Sequence, residues 1–99
     1  MEVDRMKVAY PVIFTEVDTN FLIEVPDLGI LTEANEEGKA KGTIADAMMM
    51  ARDAIGLACI NAEDEGRELA EPSKMSDIDI AKGVFAEEGS GTVSLVDVD

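Results

Sequence analysis

The sequence contains no histidine and no tryptophan, and among its 99 residues there are only one cysteine, one tyrosine and three phenylalanines. Without histidine the chain lacks the side chain that most often serves as a general base near neutral pH. The lone Cys59 cannot form an intramolecular disulfide, which suits a reducing, cytoplasmic setting. A reactive thiol needs an activating neighbour such as histidine, so Cys59 is expected to be a packed structural residue. Basic residues are also scarce: 8 Lys and Arg stand against 22 Asp and Glu, a net charge of −14. A surface that acidic repels phosphate backbones, which argues against direct nucleic-acid binding by this segment and favours a basic protein partner. The bland alternative is that the acids serve solubility alone. No apolar run approaches the roughly 18–20 residues of a membrane span, and no signal-peptide stretch opens the chain.

What is present is enough for a core. Hydrophobic residues make up 46 % of the chain, too many for a disordered acidic tail. Residues 1–99 are expected to form one domain, with residues 1–5 a frayed lead-in. Met6, Val8, Tyr10, Val12 and Phe14 alternate along a first strand with one strongly apolar face, and Pro11 predicts an irregularity within it. Val17 to Asn20 is turn chemistry, and Phe21 to Val25 is a second strand with Phe21, Ile23 and Val25 on one face. Pro26 to Gly29 breaks it, Ile30 to Ala34 is a third strand, and Asn35 to Gly42 is a loop.

The chain is organised around a long helix from Thr43 to about Glu65. Thr43 and Asp46 have the spacing of a capping box, and Gly66 is placed to end the last turn. Ile44, Met48, Ala51, Ile55, Ala58 and Ala62 form the stripe expected to be buried. Met49, Met50, Leu57 and Ile60 project to the opposite half, beside Gly56. Two covers are available for them: the Met75–Gly83 segment, or a second copy in a helix-to-helix homodimer. After an acidic stretch, Ser76 or Asp77 can cap a short turn around Ile78 to Lys82, and Val93 to Val98 is a final strand. A helix between strands of one sheet is a right-handed crossover, so the last strand is expected to run parallel to the first. The expected fold is α+β: a mixed four-stranded βββαβ sheet with the helix on one face.

The acidic constellations do not make recognisable sites. Asp77, Asp79 and Glu88 fall at the first, third and twelfth positions of a calcium loop, but Ala81 and Lys82 occupy the positions that need an oxygen and a glycine. Gly38 and Gly42 precede a helix without the Lys-Ser/Thr of a phosphate loop. No nucleophile has a base beside it. Neither a cofactor nor a metal is expected, and the chain reads as a binding module rather than an enzyme.

Tyr10-Pro11-Val12-Ile13-Phe14, followed by Phe21-Leu22-Ile23-Glu24-Val25-Pro26-Asp27-Leu28, resembles the opening of HicB-type antitoxins. Thr32-Glu33, Thr43-Ile44-Ala45-Asp46-Ala47, Ala51-Arg52-Asp53-Ala54-Ile55 and Glu71-Pro72-Ser73 follow in that family's order, so the resemblance runs from Tyr10 to Ser73. It implies a partial RNase H-like domain that covers and inhibits HicA, a small basic mRNA-cleaving toxin. The family's usual C-terminal DNA-binding domain has no counterpart before Asp99, so an isolated or truncated domain is expected and DNA binding is not carried over. The sequence also departs from the pattern at Leu28-Gly29-Ile30-Leu31 and in Glu36 to Gly42. The middle of the first strand, Ala9 to Ile13, lacks the carboxylate that a metal-dependent RNase H-like nuclease needs there. An adaptor domain and such a nuclease are the alternative readings.

For a basic toxin the candidate contacts are Asp18, Glu24, Asp27, Glu33, Glu36 and Glu37, with Glu24 expected on an exposed sheet surface used for docking. The candidate self-association residues are Met49, Met50, Leu57 and Ile60.

Overall fold

The computed structural model describes residues 8–35 and 41–98. Met6, Glu36 and Glu37 therefore lie outside the described residues. Four strands, β1 (Val8–Val17), β2 (Asn20–Val25), β3 (Ile30–Glu33) and β4 (Ser90–Val98), form one sheet in the order β3-β2-β1-β4. The helix α1 (Ile44–Asp64) packs on one face.

Period-two alternation places the side chains. Tyr10, Val12 and Phe14 of β1, Ile23 and Val25 of β2, and Val96 and Val98 of β4 meet Ala47, Ala51 and Ile55 of α1 in one core. Alanines on the buried stripe let the helix axis lie close to the sheet. The caps are those the sequence specifies. Asp46 N–H donates to the Thr43 hydroxyl at 3.1 Å, and Thr43 N–H donates to the Asp46 carboxylate at 3.1 Å, a pairing that stabilises a helix by about 1 kcal/mol. At the other end Gly66 takes φ +68°, and Arg67 N–H donates to the Ala62 carbonyl at 2.8 Å, the pattern that closes a helix with a left-handed residue.

Three expectations are corrected. First, the sheet is not mixed. β4 runs antiparallel to β1, from Val8 opposite Val98 to Glu16 opposite Ser90. The reason is an extra traverse. Gly42 N–H donates to Thr19 O at 2.9 Å, so α1 starts at the β1–β2 turn. After the helix, Ser73 lies beside Asp27 at the opposite end of the sheet. Residues 74–89 then climb back along the other face: Val84 reaches Glu24, and Gly89 sits against the Glu16 carbonyl. The chain has crossed the sheet once more than a single helical connection allows, and its direction is inverted.

Second, β1 is buried on both faces rather than one, because residues 74–85 cover its far side. Residues 10–15 are all buried. Third, Pro11 causes no break: the β1–β4 register runs through it, opposite Leu95. The β1–β2 ladder begins only at Ile13, so on that flank no partner strand is present to need the missing N–H.

Candidate functional site

The covering segment, residues 71–85, explains where two of the predicted acids went. It carries two short 3-10 turns, Met75–Asp77 and Ile80–Lys82, the second capped by Asp79, whose side chain accepts from Ala81 N–H at 3.0 Å. Ile78, Ile80 and Phe85 are half-buried along it, and carboxylates fix it near its two ends. Asp27 accepts the Ser73 N–H and the Ser73 hydroxyl, one on each oxygen, both at 2.7 Å. Glu24 accepts the Val84 N–H at 2.9 Å. Charge-assisted bonds of this kind are about twice as strong as neutral ones. The expectation that Glu24 sits on an exposed docking surface is therefore corrected, since that sheet face is covered. Both carboxylates are half-buried and hold the segment in place.

The remaining described acids lie elsewhere. Asp18 is exposed in the β1–β2 turn, where Glu16, Asp18 and Glu88 line one shallow groove. Glu33, exposed at the end of β3, accepts from the Asn20 side chain at 2.7 Å. Since Asn20 follows that turn, the turn end of the sheet brings together Glu16, Asp18, Glu33 and Glu88. Sequence reasoning missed Glu16 and Glu88, because the two residues are brought together only by the return of the chain into β4.

The outer side of α1 is the second candidate surface. The 71–85 segment lies on the opposite face of the sheet and does not cover it. Met49, Leu57 and Ile60 are 62 %, 59 % and 51 % exposed. Met50 departs from the expected set: it packs against the core. At about 100° per residue it lies a quarter-turn from Ala51, and its long side chain reaches back, whereas Met49 lies a further step round. Ile44 and Met48 depart in the other direction. Expected in the core, they are 47 % and 37 % exposed and line a groove of about 370 Å³ with Phe14, Phe21 and Thr92. Gly56 stands on the same outer side, and a Cβ there would meet nothing within 4 Å. Among the described residues no packing requires glycine at that position.

At the other end of α1, the Tyr10 hydroxyl donates to the Ala70 carbonyl at 2.5 Å and pins the start of the covering segment. Burial chiefly, with Cys59 and the carboxylates of Asp27 and Glu71 adding to it, pushes the Tyr10 hydroxyl above its ordinary value. Burial likewise pushes the Cys59 thiol up, the direction that suppresses thiolate reactivity. Among the described residues no three His, Cys, Asp or Glu side chains gather as a metal site, and no helix is long and apolar enough to cross a membrane.

These features define an acidic α+β domain with uncovered contact surfaces. No protein-family model matches the sequence, and comparison with curated proteins finds no match. The fold, however, is similar to that of a chain in a solved "Toxin-Antitoxin complex from Streptococcus pneumoniae". The similarity has a TM-score of 0.76 and 20 % sequence identity, over 95 % of this chain and 70 % of that one. The fold is thus one found in a toxin–antitoxin complex.

Proposed function

We propose that this chain is an antitoxin of the HicB type, which neutralises a small basic HicA-like toxin by binding it, without catalysis, in the cytoplasm. The observation that carries the reading is the fold similarity over nearly the whole chain to a component of a toxin–antitoxin complex. The HicB-like run from Tyr10 to Leu28 supports it independently, and so does the net charge of −14. Covering the toxin in this way is the role that the partial RNase H-like domain of such antitoxins plays.

Two surfaces suit such a partner. The turn-end carboxylates Asp18, Glu33, Glu16 and Glu88 supply long-range attraction, which raises the encounter rate and is weakened by salt. The α1 ridge of Met49, Leu57 and Ile60 supplies apolar contact, and Gly56 lets a partner backbone approach closely. Asp53 and Asp64 lie among these residues on the same side of the helix. A second copy would set like charges against one another, whereas a basic partner would not.

The test is co-expression with the small basic protein encoded beside this chain. A stable complex and loss of toxicity are expected, with association slowing as salt rises. Absence of any complex overturns the reading. The double variant Leu57→Lys/Ile60→Lys should weaken the complex about 100-fold or more, as two central apolar contacts do when truncated or charged. If toxin binding stays unchanged and the free chain instead falls to a lower oligomeric state, the ridge belongs to the helix-to-helix homodimer expected from the sequence.

A further inference from the structure

The outer edge of β4 is a long strand edge without the usual protection. Natural sheets guard such edges with proline, lysine, bulges or very short strands. β3, at the other edge, spans only four residues, but β4 spans nine. β4 contains no proline, lysine or arginine, and its pairing with β1 is continuous from Val98 to Ser90 without a bulge. Among the described residues no strand pairs with its outer side, and only Arg52 reaches its backbone, Nε–H donating to the Asp97 carbonyl at 3.1 Å. Its one charge, Asp97, is bound to Arg52 at 3.2 Å. Gly89 to Val96 is uncharged, in a chain where 30 % of residues carry charge. Exposed apolar side chains flank the edge on both faces: Ile44 and Met48 on the helix side, and Leu95, 50 % exposed, on the other.

We infer that two copies of this chain pair along β4, antiparallel, about a two-fold axis through Ser94, to make one eight-stranded sheet. The choice of occupant follows from charge. A chain with a net charge of −14 repels its own copy everywhere except at a neutral surface, and the β4 edge is such a surface. The centred register uses the whole strand. It sets Val93 against Leu95 on one face and Thr92 against Val96 on the other, β-branched and aliphatic pairs that favour a ladder. Gly91 falls opposite Asp97, so no like charges meet in the ladder, and the Asp97 carbonyl that accepts from Arg52 has a second lone pair for the partner strand. The axis stands normal to the sheet, so both copies of α1 lie on the same face. The groove beside Ile44 and Met48 then faces its symmetry mate, which explains why those residues are apolar although the described residues leave them 47 % and 37 % exposed. An isologous contact of this kind closes on itself and does not propagate into fibres.

Ser94 lies on the axis and therefore faces its own copy, which provides the test. The wild-type chain should run in light scattering at twice its 10.6 kDa mass. Ser94→Lys and Ser94→Asp should each be monomeric, because each sets two like charges directly opposite, with far-ultraviolet circular dichroism showing both still folded. Mixing the two variants should restore a dimer, because Lys then faces Asp. A monomeric wild-type chain, or single variants that remain dimeric, would overturn the pairing. So would a wild-type monomer whose β4 amides become protected from hydrogen exchange only when a toxin is added; the edge would then belong to the other protein.

Discussion

The two faces of the sheet are covered by opposite means. On one face α1 lays Ala47, Ala51 and Ile55 against Tyr10, Val12, Ile23 and Val25, with no polar contact needed at the centre. On the other face residues 71–85 form no long helix or strand; Ile78, Ile80 and Phe85 are only half-buried, and carboxylates fix the segment near its ends: Asp27 takes both donors of Ser73, and Glu24 takes the Val84 N–H. The first cover is apolar, periodic and cooperative. The second is a strap fixed at a few points. The difference predicts where the molecule opens first, because local opening follows elements with few buried apolar contacts and many exposed hydrogen bonds.

Substitutions on each side should separate the two covers. The largest effect is expected on the helix face. Ile55→Ala removes a fully buried side chain and should cost about 2–5 kcal/mol, read as a lower midpoint of global denaturant unfolding. Asp27→Ala leaves the Ser73 donors without their acceptor and should cost about 1.5–3 kcal/mol. Its signature should be local: faster exchange of the Ser73 and Val84 amides, with the α1 core amides little changed. Equal loss of protection in α1 would show that the strap and the helix open together and would remove the contrast drawn between them. The smallest effect is at Tyr10. Tyr10→Phe loses the bond to Ala70 and should cost about 1 kcal/mol at neutral pH.

Tyr10 also sets a pH dependence. Its hydroxyl is held above the ordinary 10.0, and the Cys59 thiol above the ordinary 9.0. In both cases the native state holds the proton more tightly than the unfolded chain. Stability is therefore intact below those ordinary values and falls as pH rises through them toward the native values. Chemical denaturation between pH 8 and 11 should show that decline, and Tyr10→Phe should remove its upper part. A curve unchanged by the substitution would place the alkaline sensitivity elsewhere.

Much of this architecture was legible in the residues. The capping box at Thr43 and Asp46, the closure at Gly66, the alternation of Val8 to Phe14 and the apolar triplet Phe21, Ile23 and Val25 all specify what the structure contains. The outward turn of Met49, Leu57 and Ile60 was equally legible. Less legible was how far the helix face reaches. Ile44 and Met48 continue the stripe by spacing, yet they overhang a groove instead of entering the core. Met50 runs against the projection because a flexible four-atom side chain spans a quarter-turn. Of the expected toxin contacts, Asp18 and Glu33 are exposed, whereas Glu24 and Asp27 are engaged within the chain.

The sequence by itself determined the elements, their caps and which side of each strand is apolar, because these depend on interactions within a few residues and repeat with a fixed period. The direction of β4, the cover over Ile13 and Thr15, and the roles of Glu24 and Asp27 were decided only by the tertiary structure. A strap that is held by carboxylates bonding to backbone N–H groups leaves no pattern in the sequence, since every residue except proline carries that donor. One more crossing of the sheet turned the last strand round, and with it placed on the outside of an acidic protein an edge whose one charge, Asp97, is paired with Arg52.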